Sequence, residues 1–135
     1  MCGIVGRINF SGEPVSLQDL EVAASLIVER GPDDFGIWEE NGCGLAHRRL
    51  SIQDLTEAGH QPMHSMDGRY VCVFNGEIYN FIELRLKLGS NNHKWKGHSD
   101  TEVLLESWIQ WGIDMLDHID GMFAFAIWDR QLRKL

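Results

Sequence analysis

A cysteine stands at the second position of the chain, directly after the initiator methionine. A thiol becomes an effective nucleophile near neutral pH when a base lies close enough to take its proton. If Met1 is removed, the α-amine of Cys2 is free, and such amines titrate at a pKa of roughly 7.7 to 8.0 in model peptides. Cys2 would then supply both nucleophile and base. The alternative is that Cys2 fills a small apolar site at the end of a strand, as buried cysteines often do.

Attack on a carbonyl group also needs hydrogen-bond donors for the oxyanion that forms. Asn75 and Gly76 offer a side-chain amide and an unobstructed backbone N–H side by side. The alternative for this dipeptide is a hairpin turn, because Asn-Gly is a strong short turn signal. A helix-like pattern after Gly76 argues against the turn, and both interpretations remain open at this point.

Two arginines and one acid could hold a charged substrate. Arg48 and Arg49 are neighbours in a predicted strand, so their side chains point to opposite faces and only one can enter a pocket. A guanidinium fork suits a carboxylate, although an arginine exposed to solvent is the alternative for each. Asp100 follows Ser99 at the start of a predicted helix, where it can serve the helix N-terminus, a substrate ammonium group, or both.

Composition and charge exclude several other kinds of site. The net charge of -8 and the scattered 12 Lys and Arg argue against a nucleic-acid partner. No apolar stretch is long enough to span a bilayer, so no membrane role is predicted. Three widely spaced cysteines without a C-x-x-C pair fit a reducing compartment, and we expect the cytoplasm. His60 and His64 fall in a predicted loop with no partner pattern, and we assign no metal.

Apolar periodicity predicts a helix from its N-cap, Ser16, to about Glu29, with Asp19 completing a capping box. The residues of this helix that face a sheet would be Leu17, Leu20, Ala24 and Ile27. Alternation predicts strands at 2–10, 36–40 and 45–52, the last two joined by a turn at Asn41-Gly42. A turn is predicted over 30–36 and an irregular loop over 53–68.

The second half of the chain predicts a strand from residue 69, broken by Asn75-Gly76 before a helix over about 80–88. Ser99 and Glu102 form a predicted capping box for a helix to about Trp111, with Val103 or Leu104, Leu105, Trp108 and Ile109 inward. The other predicted elements are a short strand at 94–97, a buried strand at 121–129 and a hairpin turn after it. At 135 residues, this series suits one α+β domain with helices outside two sheets.

Several short segments carry a resemblance to a known family. In order along the chain they are MCGIVG, RGPDD, LAHRRLSI, QPM, FNGEIYN, SDTEVLL and GMFAFAIWD. Their order and separations are similar to those of the class II glutamine amidotransferases, and closest to the N-terminal domain of glutamine-hydrolysing asparagine synthetases. The resemblance covers nearly all of the chain. One such segment is a weak signal, whereas the whole series is specific and makes Cys2 the expected nucleophile.

The resemblance implies a fold and a set of site residues. The fold would be the four-layer α/β/β/α sandwich of the N-terminal-nucleophile hydrolases. Cys2 would match the nucleophile, with its freed amine as general base, and Asn75 and Gly76 would match the oxyanion hole. The remaining matches are Arg49 for the substrate carboxylate, Glu77 and Asp100 near the substrate α-amine, and Leu50 and Ile52 for the pocket wall.

The resemblance also implies a reaction and a larger protein. Glutamine would be hydrolysed to glutamate and ammonia, and the ammonia would pass to a C-terminal synthetase domain that uses ATP and magnesium to activate an acceptor carboxylate. Residues 1–135 would be a glutaminase domain without a cofactor of its own, truncated before a further partner strand. The alternatives are a non-catalytic module that binds a partner or forms a homodimer through an exposed strand edge, and the glutaminase half of a sugar-phosphate or phosphoribosyl amidotransferase.

Overall fold

Two three-stranded antiparallel sheets form the centre of the protein in a computed structural model, which describes residues 2–52, 54–89 and 94–135. The first sheet has the order β1-β3-β2, and the second has the order β4-β5-β6. The strands are β1 (Gly3–Ile8), β2 (Asp34–Glu40), β3 (Cys43–Arg49), β4 (Met63–His64), β5 (Tyr70–Ile78) and β6 (Gly121–Asp129). The helices of the described ranges are α1 (Leu17–Ser25), α2 (Phe81–Gly89) and α3 (Asp100–Trp111), with short 3-10 turns at Val28–Arg30, Glu57–Gly59 and Gly112–Asp117.

The strands alternate their side chains between two apolar interfaces, which produces four layers. Leu45 of β3 packs against Val71 and Val73 of β5 between the two sheets. Ala46, the next residue of β3, packs on the other face against Leu20 of α1. On the outer face of the second sheet, alternate residues of β5 pack among side chains of α2 and α3. The predicted α/β/β/α sandwich is confirmed.

The Asn41-Gly42 hairpin is also confirmed. Asn41 has φ 53° and Gly42 has φ 82°, the positive values that a two-residue hairpin turn requires. Glu40 pairs with Cys43 across this turn. β2 is longer than predicted, because it already begins at Asp34, within the segment predicted as a turn. β3 begins two residues earlier than predicted and ends three residues earlier, at Arg49.

The predicted helix starts are half right. Ser16 and Ser99 are N-caps, and each hydroxyl accepts the N–H of the residue three positions later. The acids of the two predicted capping boxes have other partners. Asp19 forms an ion pair with Arg7 at 2.8 Å, and Glu102 accepts the backbone N–H groups of Lys96 and Gly97. α1 ends at Ser25, earlier than predicted.

Three predictions for the later elements are wrong. β5 runs through Asn75-Gly76 to Ile78 without a break, because β6 pairs with it over its whole length. No strand forms at 94–97, since the carboxylate of Glu102 takes the backbone N–H groups of Lys96 and Gly97 that a ladder would use. β6 is an edge strand and is only partly covered over its first six residues, with Met122 72% exposed.

Smaller differences concern individual positions. Leu17 and Ile109, predicted to face inward, are exposed. The loop predicted over 53–68 contains β4 and a 3-10 turn. The predicted hairpin turn after β6 is confirmed by a β-bridge between Asp129 and Lys134. Within the described ranges, no helix is long and apolar enough to cross a membrane.

Candidate active site

All eight predicted site residues line one cavity of about 150 Å³. They come from the residue before β1, the end of β3 and the loop after it, the second half of β5, and the first residue of α3. A cavity of this order holds a molecule the size of an amino-acid side chain or a small ring rather than a nucleotide. The eight are Cys2, Arg49, Leu50, Ile52, Asn75, Gly76, Glu77 and Asp100.

Cys2 is held at one wall of the cavity by the first sheet. Gly3 pairs with Arg48, so the start of β1 lies beside the end of β3. The sulfur of Cys2 accepts a hydrogen bond from the backbone N–H of Leu50 at 3.4 Å. The carbonyl oxygen of Cys2 accepts one from the Nε–H of Arg30 at 3.0 Å. The thiol therefore has a defined position at the cavity wall. Met1, whose removal the base mechanism requires, lies outside the described residues.

The two arginines at the end of β3 diverge, and only Arg49 enters the cavity. Its guanidinium donates to the carbonyl oxygen of Thr56 at 3.0 Å and to that of Asp54. Arg48 points to the opposite face, where it donates to the carbonyl oxygen of Ala24 and stacks over the ring of Phe35 at 4.3 Å. The backbone contacts leave further guanidinium N–H groups of Arg49 for a ligand, since the group carries five.

Asn75 and Gly76 lie in the middle of β5 at the cavity wall. The Oδ1 atom of Asn75 is buried without a hydrogen-bond partner in the described part of the chain, so the side chain is not tied into a turn. A Cβ at Gly76 would collide with the backbone of β6, reaching the carbonyl oxygen of Met122 and lying 2.5 Å from the Cα of Phe123. Only glycine lets the two strands approach this closely here.

Asp100 lines the cavity beside the end of β5. It is 6% exposed, and its carboxylate accepts the backbone N–H of Ile78 at 3.1 Å. Burial raises the pKa of the Asp100 carboxyl, and the negative charge of Glu77 raises it further. A buried carboxyl whose ionisation is costly, next to a second negative charge, is a favourable place for a cationic group.

The comparison with known proteins decides the family. A family model described as the glutamine amidotransferase domain matches residues 1–135. The chain belongs to this glutamine amidotransferase domain family. The amidotransferase domain is 40% identical over 134 residues to glutamine-hydrolyzing asparagine synthetase 3 of Bacillus subtilis, covering 97% of the chain and 22% of that protein.

Two further comparisons agree with this assignment. The domain is 39% identical to glutamine-hydrolyzing asparagine synthetase B of Escherichia coli, covering 97% of the chain and 24% of that protein. The chain thus spans less than a quarter of these relatives. The structure of glutamine phosphoribosylpyrophosphate amidotransferase from Bacillus subtilis superimposes with a TM-score of 0.75, covering 96% of the chain and 35% of that one. At 17% identity this likeness shows the fold alone.

Asp54 is a cavity residue of the amidotransferase domain that the sequence did not single out. Burial opposes its ionisation, but hydrogen bonds from the N–H of His98 at 2.8 Å and from Thr56 outweigh it and lower the pKa of Asp54 to about 2. Asp54 thereby connects the loop that contacts Arg49 with the segment that leads to α3. The D-x-T spacing is an Asx-turn signal that could have indicated it.

Gln61 and Thr101 are two more cavity residues of the domain that were missed. The Oε1 atom of Gln61 accepts the backbone N–H of Phe74 at 2.6 Å, and its Nε2 donates to the hydroxyl of Thr101 at 3.3 Å. Gln61 is 13 positions from Phe74 and 40 positions from Thr101, so no local pattern predicts these contacts. Among the described residues, no group of His, Cys, Asp and Glu could hold a metal ion.

Proposed function

We propose that this domain hydrolyses glutamine to glutamate and ammonia, with Cys2 as the nucleophile. The observation that carries the proposal is the convergence of one thiol, one arginine, the acids Glu77 and Asp100, and a strand edge with two donors on a single small cavity. Each end of glutamine has a chemically complementary partner there. Family membership supports the same reading.

The charged end of glutamine would be bound at the deep side of the cavity. Arg49 would hold the α-carboxylate through its remaining N–H groups, because a guanidinium binds a carboxylate with charge-assisted hydrogen bonds. Asp100 and Glu77 would hold the α-ammonium group, while the backbone at Leu50 and Ile52 forms the wall between. Fixing both charged groups directs the side-chain amide toward the sulfur of Cys2.

The chemistry would begin with the amine of Cys2, which removal of Met1 sets free. This amine takes the thiol proton, and the sulfur attacks the carbonyl carbon of the glutamine amide. The Nδ2 group of Asn75 and the N–H of Gly76 would stabilise the oxyanion of the tetrahedral intermediate. The ammonium of Cys2 then protonates the departing nitrogen, so ammonia leaves and a γ-glutamyl thioester remains. Water attacks the thioester, releases glutamate and restores the thiol.

The longer proteins that this domain resembles suggest where the ammonia goes. Its relatives at 39% and 40% identity are named as asparagine synthetases, and we propose an ATP- and magnesium-dependent synthetase region as the consumer, with aspartate as acceptor. We favour an asparagine synthetase over a phosphoribosyl or sugar-phosphate amidotransferase, because the likeness to the phosphoribosyl enzyme, at 17% identity, concerns the fold alone. A homodimer, a cytoplasmic location and the absence of a nucleic-acid partner stay predictions.

The test is to trap the covalent intermediate. The whole protein, with Cys2 shown to be its first residue, is mixed with glutamine, quenched in acid within the first turnover and digested for mass spectrometry. We expect a γ-glutamyl group on Cys2 and free ammonia in the supernatant. A protein with a free Cys2 amine that consumes no glutamine and acquires no acyl group would refute the proposal. The variant Cys2→Ala is the matched control.

A further inference from the structure

The strand that carries Asn75 and Gly76 loses its neighbour just before it reaches them. β4 pairs with β5 only at Met63 with Cys72 and at His64 with Val71. The residue before β4 is Pro62, which has no backbone N–H and so cannot extend the hydrogen-bond ladder between β4 and β5. From Phe74 onward, the edge of β5 that faces away from β6 therefore has no strand to bond to in the described part of the chain.

Alternate residues of β5 direct their backbone groups to this open edge. The N–H and C=O of Tyr70 bond to Ser65 on that side, and the N–H of Ile78 bonds to Asp100. Because the direction repeats every second residue, the N–H groups of Phe74 and Gly76 point the same way. The open edge forms the wall of the cavity at Phe74, Asn75 and Gly76.

Side chains take the place of the missing strand at Phe74. Its N–H donates to Oε1 of Gln61 at 2.6 Å, and its carbonyl oxygen accepts from Nε2 of His47 at 3.0 Å. Phe74 is 3% exposed, and a buried backbone group left without a partner is strongly disfavoured. Gln61 and His47 thus complete the ladder that β4 does not continue.

The position of Gln61 is itself fixed on two sides. The Nε2 group of Gln61 donates to Thr101, in the first turn of α3, at 3.3 Å. Its backbone carbonyl packs against Gly36 of β2, where any Cβ would collide with it. Gln61 is 4% exposed, so the side chain has little room to adopt another rotamer.

We propose that Gln61 is a positioning residue for the oxyanion hole of the glutaminase reaction, acting through the backbone N–H of Phe74. The proposal rests on the proposed function. Phe74 directly precedes Asn75, so a shift of its peptide moves both donors, and a donor must lie within about 0.5 Å of its productive position to be effective. Gln61 would therefore affect the chemical step, whereas residues that hold the charged end of glutamine affect binding.

The test compares Gln61→Met with a matched exchange, Gln18→Met, on the exposed face of α1 in the outer layer. Methionine keeps the length of the side chain but accepts no comparable hydrogen bond. We expect Gln61→Met to lower kcat for ammonia release by about tenfold to thirtyfold with KM within about threefold, and Gln18→Met to match the wild type. The rate of Cys2 alkylation by iodoacetamide should stay unchanged, because that reaction forms no oxyanion.

A second pair of variants leaves Gln61 in place and serves if Gln61→Met does not fold. Thr101→Val removes the hydroxyl that bonds Gln61, and Thr101→Ser retains it. We expect kcat to fall about threefold to tenfold in Thr101→Val and to recover in Thr101→Ser. The double variant Gln61→Met with Thr101→Val should be no slower than Gln61→Met, since both changes interrupt one path.

The outcomes separate this proposal from the function on which it rests. If the wild type releases no ammonia, the proposed function itself is wrong. If the wild type is active and Gln61→Met keeps its kcat, the positioning role is wrong. A raised KM with an unchanged kcat would also overturn it, because Gln61 would then act by binding glutamine. Faster hydrogen exchange at the Phe74 amide in Gln61→Met would support the stated path.

Discussion

The sulfur of Cys2 accepts a hydrogen bond from the backbone N–H of Leu50, with 3.4 Å between sulfur and nitrogen. This contact joins the residue before β1 to the residue after β3, and the pairing of Gly3 with Arg48 holds the two ends together. Arg49 lies between Arg48 and Leu50. The nucleophile and the arginine proposed for the substrate carboxylate are therefore placed by the same pair of strands, and their spacing does not depend on a mobile loop.

The three cysteines should differ sharply in reactivity. Cys43 and Cys72 are fully buried, and burial raises the pKa of the Cys43 thiol to about 11 and also raises the pKa of Cys72. We expect iodoacetamide to modify the folded protein at Cys2 and leave the other two intact, as mapped by peptide mass spectrometry. Cys2→Ala should take up no label. Labelling of Cys43 or Cys72 ahead of Cys2 would contradict the described burial.

The adjacent arginines provide a matched pair of variants for substrate binding. Arg49→Lys keeps the charge but loses the planar fork, and we expect KM for glutamine to rise by about tenfold to a hundredfold with a smaller change in kcat. Arg48→Lys should change KM by less than about threefold, because Arg48 contacts α1 and Phe35 on the other face. Steady-state kinetics check both. Equal effects of the two exchanges would show that Arg49 has no special role.

Asn75 should act on the chemical step. We expect Asn75→Ala to lower kcat by about 10²- to 10³-fold with little change in KM, the usual cost of removing an oxyanion donor. Asn9→Ala is the control, since the side-chain amide of Asn9 lies at the other end of β1, where it donates to the carbonyl oxygens of Glu13 and Pro14. A kcat for Asn75→Ala within about threefold of the wild type would remove Asn75 from the proposed oxyanion hole.

His47 should make the fold sensitive to mild acid. Burial is the main cause that lowers the pKa of His47 from 6.5 to about 4. The hydrogen bond to the carbonyl oxygen of Phe74 opposes this shift, and the charges of Asp34, Arg49 and His60 have smaller effects. As the pH falls below 6.5, the unfolded chain takes up this proton before the folded one does. The contribution of neutral His47 to the free energy of unfolding is fully present above pH 6.5. It is lost progressively as the pH falls to about 4, and the loss amounts to up to about 3 kcal/mol.

The measurement for His47 is urea unfolding over this pH range. His47→Gln keeps a donor for the carbonyl oxygen of Phe74 but cannot take up a proton, so its unfolding free energy should fall less steeply with pH. The difference between wild type and variant should grow between pH 6.5 and about 4. Parallel curves for the two proteins would show that His47 is not the group responsible.

Local signals predicted the parts of this fold that depend on a few neighbouring residues. Asn41 and Gly42 adopt positive φ because the hairpin turn demands it, and Ser16 and Ser99 cap helices through N–H groups three residues away. These features need no knowledge of the rest of the chain. The resemblance to the amidotransferase family then brought distant residues into one predicted pocket, and the structure places all of them in one cavity.

Features that depend on long-range partners were not predictable in this way. Asn75-Gly76 reads locally as a break, yet β6 pairs across it and makes a continuous strand. Glu102 reads as the acid of a capping box, yet the preceding loop offers its carboxylate two N–H groups. Gln61 gives no local signal, because its role depends on where β4 stops beside β5. Such positions are set by packing rather than by neighbouring residues.

In the proposed mechanism, the sulfur and the free amine of Cys2 act together on glutamine. The most direct measurement compares ammonia release by protein beginning at Cys2 with release by the same protein retaining Met1, each N-terminus verified by mass spectrometry. We predict steady turnover of glutamine for the first form and release lowered by at least about a hundredfold for the second, because an amide nitrogen cannot take the thiol proton. Equal rates for the two forms, or no release by the form that begins at Cys2, would contradict this mechanism.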